Sequence, residues 1–480
     1  MFPANVPVRA PALIRLGQLS DDDEATRLRL IAQLRDAQVA NLRQEAYYEG
    51  SRIVRDLGIA IPPHLRDLEA VAAWPEIVVD VIDERMDWQG WRSDTDLGLP
   101  QVYAENHLSV EVGQAVLDSL ICGVSYMTVG TGDDDEPEVL VKAESPSRMT
   151  ASWNTRLRRV DQALVEMKDG SGRLAGWKLY LPGVTITTER NQGRLVVVDR
   201  DEHNLPRVPV SALLNRPRAS RLEGRSEITR AVRSLTDSGM RTLLGMEIAR
   251  EFYAAPQRYL MGADESMFVN ELGEPVGQWA AVIGRMLMAP RDDNGELPVP
   301  GVFQSASPQP FSDLLRTYAQ MISAATGIPA THLGFTTDNP ASADAIQRAD
   351  MRLDNRAVRR QSQYDLGLVN LGELCVLWRD GELPEPGVIK SQWMDPSTPT
   401  PAATADAVQK LSAISIGGQP LLPMRKARQM LGWTADEIAE AERLDQPPAA
   451  DPVASLTSLL NQQATAEIPS VPANPAIPAE

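Results

Sequence analysis

Between residues 311 and 326 apolar side chains recur at three- and four-residue spacing. Phe311, Leu314, Leu315, Tyr318, Met321 and Ile322 fall on one face of a helix of about four turns. Gly327, Pro329 and Gly334 end that pattern, and Thr336, Thr337, Asp338 and Asn339 follow as a small, polar run suited to an exposed loop. Pro340 opens a second helical stretch that reaches about residue 378. Within it Tyr364, Leu368, Leu371, Cys375 and Trp378 alternate spacings of four and three, while Arg348, Arg352, Arg356 and Arg360 repeat every four residues. The pattern predicts a helix whose first half is charged and whose second half is buried.

Residues 20 to 58 carry Leu28, Ile31, Leu34 and Leu42 at helical spacing behind an acidic start, SDDDE, that complements a helix dipole. Helices are also predicted from Pro75 to about Met86 and over 107 to 122. The period then changes to that of strands. From 124 to 198, SYMTVG and EVLVKA flank the acidic turn GDDDEP, and Asp169-Gly170 marks a hairpin whose second arm puts Trp177, Leu179 and Leu181 on one face. Strands following helices without βαβ alternation indicate an α+β class rather than a nucleotide-binding fold. A long helix is expected over 226 to 254, with Ser226 as its cap and Pro256 as its stop. Turn-rich residues 257 to 308 read as a compact insertion. Two shorter helices are expected within 403 to 445, VQKLSAISI and a second broken at Gly432-Trp433. The Pro, Ala and Ser rich stretch beyond Gln446 reads as a disordered tail.

Composition narrows the function classes. The 480 residues include 65 acids against 47 basic residues, a net charge of −18, which argues against a protein that grips nucleic acid by neutralising phosphates. Of the basic residues 41 are Arg and 6 are Lys, a bias read first as codon usage in a GC-rich genome. Cys122 and Cys375 lie in apolar segments and read as core residues of a reducing compartment. No secretory or membrane-spanning segment is recognisable, so a cytoplasmic site of synthesis and use is expected.

The enzyme motifs are missing: no G-x-x-x-x-G-K-[ST], no H-E-x-x-H and no G-x-S-x-G. His64, His107, His203 and His332 lie in unrelated segments and read as structural or surface residues. Asp199, Asp201 and Glu202 beside His203, and the run Asp133, Asp134, Asp135 and Glu136, read as solvated acidic turns, the latter lacking an EF-hand's glycine and distal glutamate. No catalytic residue, metal site or cofactor is expected. The arginine row drifts by about 40° per step, which makes a slanted band along the helix. Two readings remain open for it, ahead of a third in which it contacts DNA directly. Either it is a solvated face paired with acids such as Asp344, Asp350 and Asp354, or it meets acids on a neighbouring subunit.

Several segments, in this order, resemble the portal protein family of tailed bacteriophages, in its siphophage branch. They are AYYEG near the start, SPSRMTASWN before a strand pair, GRSEI opening a long helix that ends AAPQR, then ATGIP and NPASADAI. The resemblance covers most of residues 40 to 445 and rests on order and spacing rather than on any one motif. It implies a portal fold: an α+β wing with an N-terminal helical arm (1–223), a stem helix (224–255), a small clip (256–308) and a second stem helix (309–326). A tunnel loop (327–340), a long kinked helix returning to the wing (341–400), a helical crown (401–445) and the tail (446–480) follow. It also implies a homo-oligomeric ring, usually a dodecamer, at the capsid vertex of the virion, assembled in the host cytoplasm, through which double-stranded DNA is packaged and ejected. The implied partners are the major capsid and scaffolding proteins, the terminase large subunit and a head-tail adaptor, with no membrane. Thr336, Thr337, Asp338 and Asn339 would line the DNA channel. An acidic wall suits a channel, because duplex that must move is hindered by strong phosphate contacts. The alternatives are a phage-encoded enzyme with an unrecognised site and a minor capsid-associated structural protein.

Overall fold

The computed structural model describes residues 19–51, 70–191, 194–221, 223–254, 258–261, 299–302, 308–335, 343–397, 401–433 and 435–445. They divide into two units, one ending at Ser397 and one following it.

The first unit opens with α1 (Asp21–Tyr48). Ser20 caps it, its Oγ accepting from the Asp23 N–H at 3.2 Å, and four acids fill the first turn. The buried face differs from the expected one: Leu30, Ile31 and Leu34 are buried, while Leu28 and Leu42 are more than half exposed. The reason is that α1 packs through polar groups as well. Gln33, Gln38 and Asn41 donate to the carbonyls of Ala151, Ser147 and Pro146 at 3.0 to 3.1 Å, so its inner face is not an apolar stripe. After α2 (Trp74–Asp83), β1 (Trp88–Arg92), α3 (Leu99–Glu105) and α4 (Leu108–Cys122), the chain turns at Gly123 into β2 (Val124–Thr131) and β3 (Val139–Glu144).

The strands expected over 124 to 198 continue as a meander. β4 (Met149–Asn154), β5 (Arg159–Lys168), β6 (Leu174–Leu181), β7 (Val184–Asn191) and β8 (Arg194–Asp201) pair antiparallel in sequence order. The hairpin between β5 and β6 turns on Asp169, whose Oδ1 accepts from the N–H groups of Ser171 and Arg173 at 2.9 Å. Leu179 and Leu181 of β6, with Trp177 beside them, join Leu164, Ile186 and Val197 in covering Leu30, Ile31 and Leu34 of α1. Each fully buried aliphatic side chain here contributes about 1.5–3 kcal/mol. β9 (Val210–Leu214) returns to pair with β2, giving a second, three-stranded sheet in the order β3, β2, β9.

α5 (Arg230–Ala254) comes next and is roughly 38 Å long at 1.5 Å per residue. It starts later than expected, and its cap is Thr229, which offers Oγ1 to the Val232 N–H and its carbonyl to Arg233; Ser226 instead closes a local turn onto the Ile228 N–H. The short strands β10 (Arg258–Met261) and β11 (Val299–Val302) pair antiparallel, and they are what is described of the expected 257–308 insertion. The chain returns through α6 (Gln309–Thr326), α7 (Ala343–Asp380) and β12 (Lys390–Trp393).

The main core gathers α2, α4, the inner face of β2 and β3, the first turns of α5, the end of α6 and the second half of α7. Tyr364, Leu368, Leu371 and Cys375 are all but inaccessible, and burial pushes the Cys375 thiol up to about 12, so it is an inert core group. Cys122 is half-buried and unpaired, 4.0 Å from Glu45. Neither β1 nor β12 was evident from the chain's periodicity. They form a two-stranded ladder fixed by tryptophans: Trp91 donates to the Leu368 carbonyl and Trp393 to Asp365, each at 2.7 Å. Among the described residues no helix is long and apolar enough to cross a membrane.

The second unit contains α8 (Pro401–Ala413), the two-residue strands β13 (Ser415–Ile416) and β14 (Gln419–Pro420), α9 (Met424–Met430) and α10 (Ala435–Asp445). The helix expected through Ile416 stops at Ala413, because Gly417 and Gly418, both at positive φ, form a hairpin turn instead. The break at Gly432-Trp433 is present, with the Arg428 guanidinium over the Trp433 ring at 5.5 Å.

Candidate functional site

α5 and α6 run antiparallel. They are joined at one end through the β10 and β11 ladder, and a Cβ on Gly245 would reach the ring of Phe311 near the start of α6. Only Ala319, Ile322 and Thr326 of α6 are fully buried, while Leu314 and Met321 of the predicted stripe remain about half exposed. The helix ends at Gly327, which takes φ 76° and donates its N–H to the Ser323 carbonyl at 2.7 Å. A residue other than glycine there would be strained, and its Cβ would meet the Arg352 Nε at 2.7 Å.

Beyond this cap a single 3₁₀ turn, Ala330–Leu333, is pinned by Ile328 and Leu333 in the main core and closed by Gly334 at φ 84°. His332 Nε2 lies 3.2 Å from Asp350 Oδ1, tying the turn to the first turns of α7. These contacts hold the joint as far as Leu333. Thr336, Thr337, Asp338 and Asn339, expected in the channel loop, lie outside the described residues.

The arginine row divides in two. Arg348 and Arg352 are exposed, whereas Arg356 and Arg360 turn inward onto Glu227, which is 1% exposed. Arg356 Nη2 lies 2.8 Å from Oε2 and Arg360 Nε 2.8 Å from Oε1, while Arg216 adds a third guanidinium at 3.3 Å. Burial alone would raise the Glu227 pKa, but the three guanidinium groups outweigh it and hold the carboxyl below its ordinary range. The same burial lowers the pKa values of Arg356 and Arg216.

The GRSEI segment positions Glu227. Gly224, at φ 73°, passes so close to the α4 to β2 turn that a Cβ would lie 2.1 Å from the Gly123 carbonyl oxygen. The Arg225 N–H then reaches the Asn215 carbonyl at 2.6 Å, and the Glu227 N–H the Leu120 carbonyl at 2.9 Å. Arg85 Nε, 3.2 Å from Asp354 Oδ1, fixes the same stretch of α7 from the α2 side. The sequence offered Arg356 and Arg360 as candidates but gave no sign that Glu227, 129 residues before Arg356, was their counter-charge.

The remaining histidines and acids lie apart from this cluster where they are described. His107 takes a left-handed conformation before α4, and the His203 ring lies 5.3 Å from Trp378 with Nδ1 accepting from the Leu205 N–H. Glu202 pairs with Arg200 at 3.1 Å. Among the described residues no group of three or more His, Cys, Asp or Glu side chains could hold a metal ion.

Comparison with known proteins places these elements in context. Residues 36–447 match the family model described as phage portal protein, SPP1 Gp6-like. The chain is 33% identical over 452 residues to the portal protein of Mycobacterium phage D29, covering 91% of this chain and 90% of the relative. It is 30% identical over 471 residues to that of Mycobacterium phage L5, with coverages of 95% and 94%. Among solved structures, a chain from the neck of the native GTA particle with C12 symmetry matches at 14% identity and a TM-score of 0.42, over 75% of this chain and 90% of that one. A chain of the native gene transfer agent virion matches at 15% identity and a TM-score of 0.38, over 82% and 99%. On the strength of the sequence matches, which run through the helix pair, the joint and the Glu227 cluster alike, this chain belongs to the phage portal protein family.

Proposed function

We propose that the chain assembles into a closed ring of about twelve copies at one capsid vertex, through which double-stranded DNA enters during packaging and leaves on ejection. The observation that carries this reading is the match to the portal family across 36–447. The geometry agrees with it. α5 and α6 form a long helical pair that leaves Leu314 and Met321 in solvent, and α7 does the same with Met351 and Val358, apolar surface that a neighbouring copy would cover. The role is structural rather than enzymatic, as in the family.

In this reading residues 1–223 form the wing, α5 and α6 the stem, 256–308 the clip, 341–400 the return to the wing and 401–445 the crown. Thr336, Thr337, Asp338 and Asn339 face the duplex, and contact is to its backbone without sequence preference. Arg348 and Arg352 remain available to a neighbouring subunit, since Arg356 and Arg360 are engaged by Glu227. The ring docks the terminase large subunit during packaging and a head-tail adaptor afterwards, within a shell of capsid protein built with a scaffold.

Light scattering and negative-stain images of the purified chain test this. Closed rings of about twelve copies of the 52.5 kDa chain are expected without nucleotide. A monodisperse monomer at micromolar concentration in several salts would overturn it.

A further inference from the structure

A cleft of about 880 Å³ opens between α1 and the edge formed by β2, β9 and residues 215 to 233. Its floor is apolar, with Tyr126, Ala212 and Leu214 along it. Its walls are strongly basic. Seven arginines line it against two acids, Asp36 and Glu223, in a chain whose net charge is −18. Of these arginines, Arg43, Arg218, Arg221, Arg225 and Arg230 are exposed and form no salt bridge with any described residue. They also act on one another: burial, with the charges of Arg43 and Arg230 close by, lowers the pKa of Arg233. Like charges gathered over an apolar floor are unfavourable in a free subunit and become favourable when an acidic segment is seated among them.

The same chain carries such a segment. The turn between β2 and β3 presents Asp133, Asp134, Asp135 and Glu136, all exposed and none in a salt bridge with a described residue. A turn of this shape holds itself together, since the Glu136 N–H donates to the Asp133 carbonyl at 2.9 Å and Glu136 Oε2 accepts from the Asp133 N–H at 3.1 Å. Its own cleft is out of reach. The cleft borders Val124 and Tyr126 at the start of β2, and the turn follows Thr131 at its end, roughly 17 to 23 Å away along an extended strand. Donor and acceptor at opposite ends of one strand suit a head-to-tail contact between copies, and such contacts form a ring where the rotation from copy to copy closes.

We infer that the arginine cleft receives the acidic β2 to β3 turn of a neighbouring copy, and that this exchange, repeated around the ring, sets the order of subunits. The inference rests on the ring reading above. A nucleic-acid strand is the other polyanion that could occupy the cleft. The matched acidic turn on the same chain and the apolar floor favour protein.

Two charge-reversed variants test it. One carries Arg43→Glu, Arg218→Glu and Arg221→Glu, which leaves four arginines against five acids in the cleft, and the other carries Asp133→Arg, Asp134→Arg and Asp135→Arg, which leaves three arginines against Glu136 in the turn. Each alone is expected to fall from rings to monomers at micromolar concentration in low salt, because its cleft and turn then repel. Mixed in equal amounts they are expected to assemble again, since each cleft now meets a turn of opposite sign; this recovery also shows that both variants are folded. If the wild type forms rings and both variants form them equally well, the inference fails while the ring reading stands. Monomeric variants that do not reassemble on mixing overturn it too. A cleft variant that keeps its ring but loses more than tenfold in duplex affinity would assign the cleft to nucleic acid instead. A wild type that never leaves the monomer would remove the ring reading and this inference with it.

Discussion

Arg360 holds Glu227 with two nitrogens, Nε and Nη2, each 2.8 Å from Oε1, across 133 residues of sequence. The pair ties the segment that leads into α5 to the middle of α7, so these two long helices share one fixed point although α6 and the 327–342 joint separate them in sequence. With side chains 1% and 5% exposed, neither charge can turn to water if the other is removed.

Glu227→Gln is therefore expected to lose about 3–5 kcal/mol of stability, because Arg360, Arg356 and Arg216 would be left close together without their counter-charge. The sign with pH follows from the depressed carboxyl pKa. The contribution is complete at neutral pH, above the ordinary value of 4.5, and is lost as pH falls through the lower folded value. Denaturant midpoints of wild type and variant at pH 7 check the first point; a difference below about 1 kcal/mol would mean that the cluster is far wetter than its burial indicates.

Asp83 should act in the opposite sense. Burial, then the nearby charges of Asp80 and Glu84, raise its pKa from 3.8 to about 6. The folded protein thus holds this proton more tightly than the unfolded chain, so stability falls as pH rises from about 4 to about 6 and is level above. Asp83→Asn should flatten that segment of the stability profile. Allowing for its partial exposure, it should stabilise the protein at pH 7 by about 1–2 kcal/mol. Thermal midpoints across pH 4 to 8 report it, and an unchanged slope in the variant would assign the dependence to other groups.

The contrast between these two acids shows where sequence reasoning reached and where it stopped. Periodicity located α6, the buried half of α7 and the β5 to β6 hairpin, because each is governed by neighbours within a few positions: Tyr364, Leu368, Leu371 and Cys375 repeat at helical spacing, and Asp169-Gly170 specifies its own turn. The face of α1 was misread, with Leu28 outside and Leu30 inside, because Gln33, Gln38 and Asn41 bind carbonyls that only the folded meander presents. Glu227 was missed for a similar reason. Its partners come from β9's exit and from α7, and what brings them together is the close crossing of Gly224 over Gly123, a contact with no local signal. A buried acid three residues after a glycine in GRSEI, with two arginines one helical turn apart elsewhere, is a pattern worth pairing only once the crossing is known.

At the α6 cap, Gly327→Ala should cost about 1–2 kcal/mol from its left-handed backbone alone, and more from the approach of its Cβ to Arg352. Arg352→Ala removes the second part and not the first. A double-mutant cycle is therefore expected to show a coupling of about 0.5–1 kcal/mol, the double variant being more stable than additivity allows. Zero coupling would indicate that Arg352 swings clear without cost and that the cap is limited by backbone conformation only.

Deleting residues 336 to 339 should spare assembly and impair DNA packaging. All of the described packing at the joint ends before them. Ile328 and Leu333 lie in the main core, Gly327 and Gly334 cap their turns, and His332 is already tied to Asp350, so shortening the polar tip removes none of these contacts. What it would remove is the segment proposed to meet the duplex. Because such a contact is to backbone and unspecific, Asp338→Ala should be mild where the deletion is severe. DNA per capsid, measured beside particle yield, separates the outcomes. Normal filling without the tip would make the loop a passive connector. Loss of particles altogether would mean that residues 336 to 339 hold the helices of neighbouring copies together and belong to the assembly rather than to the channel.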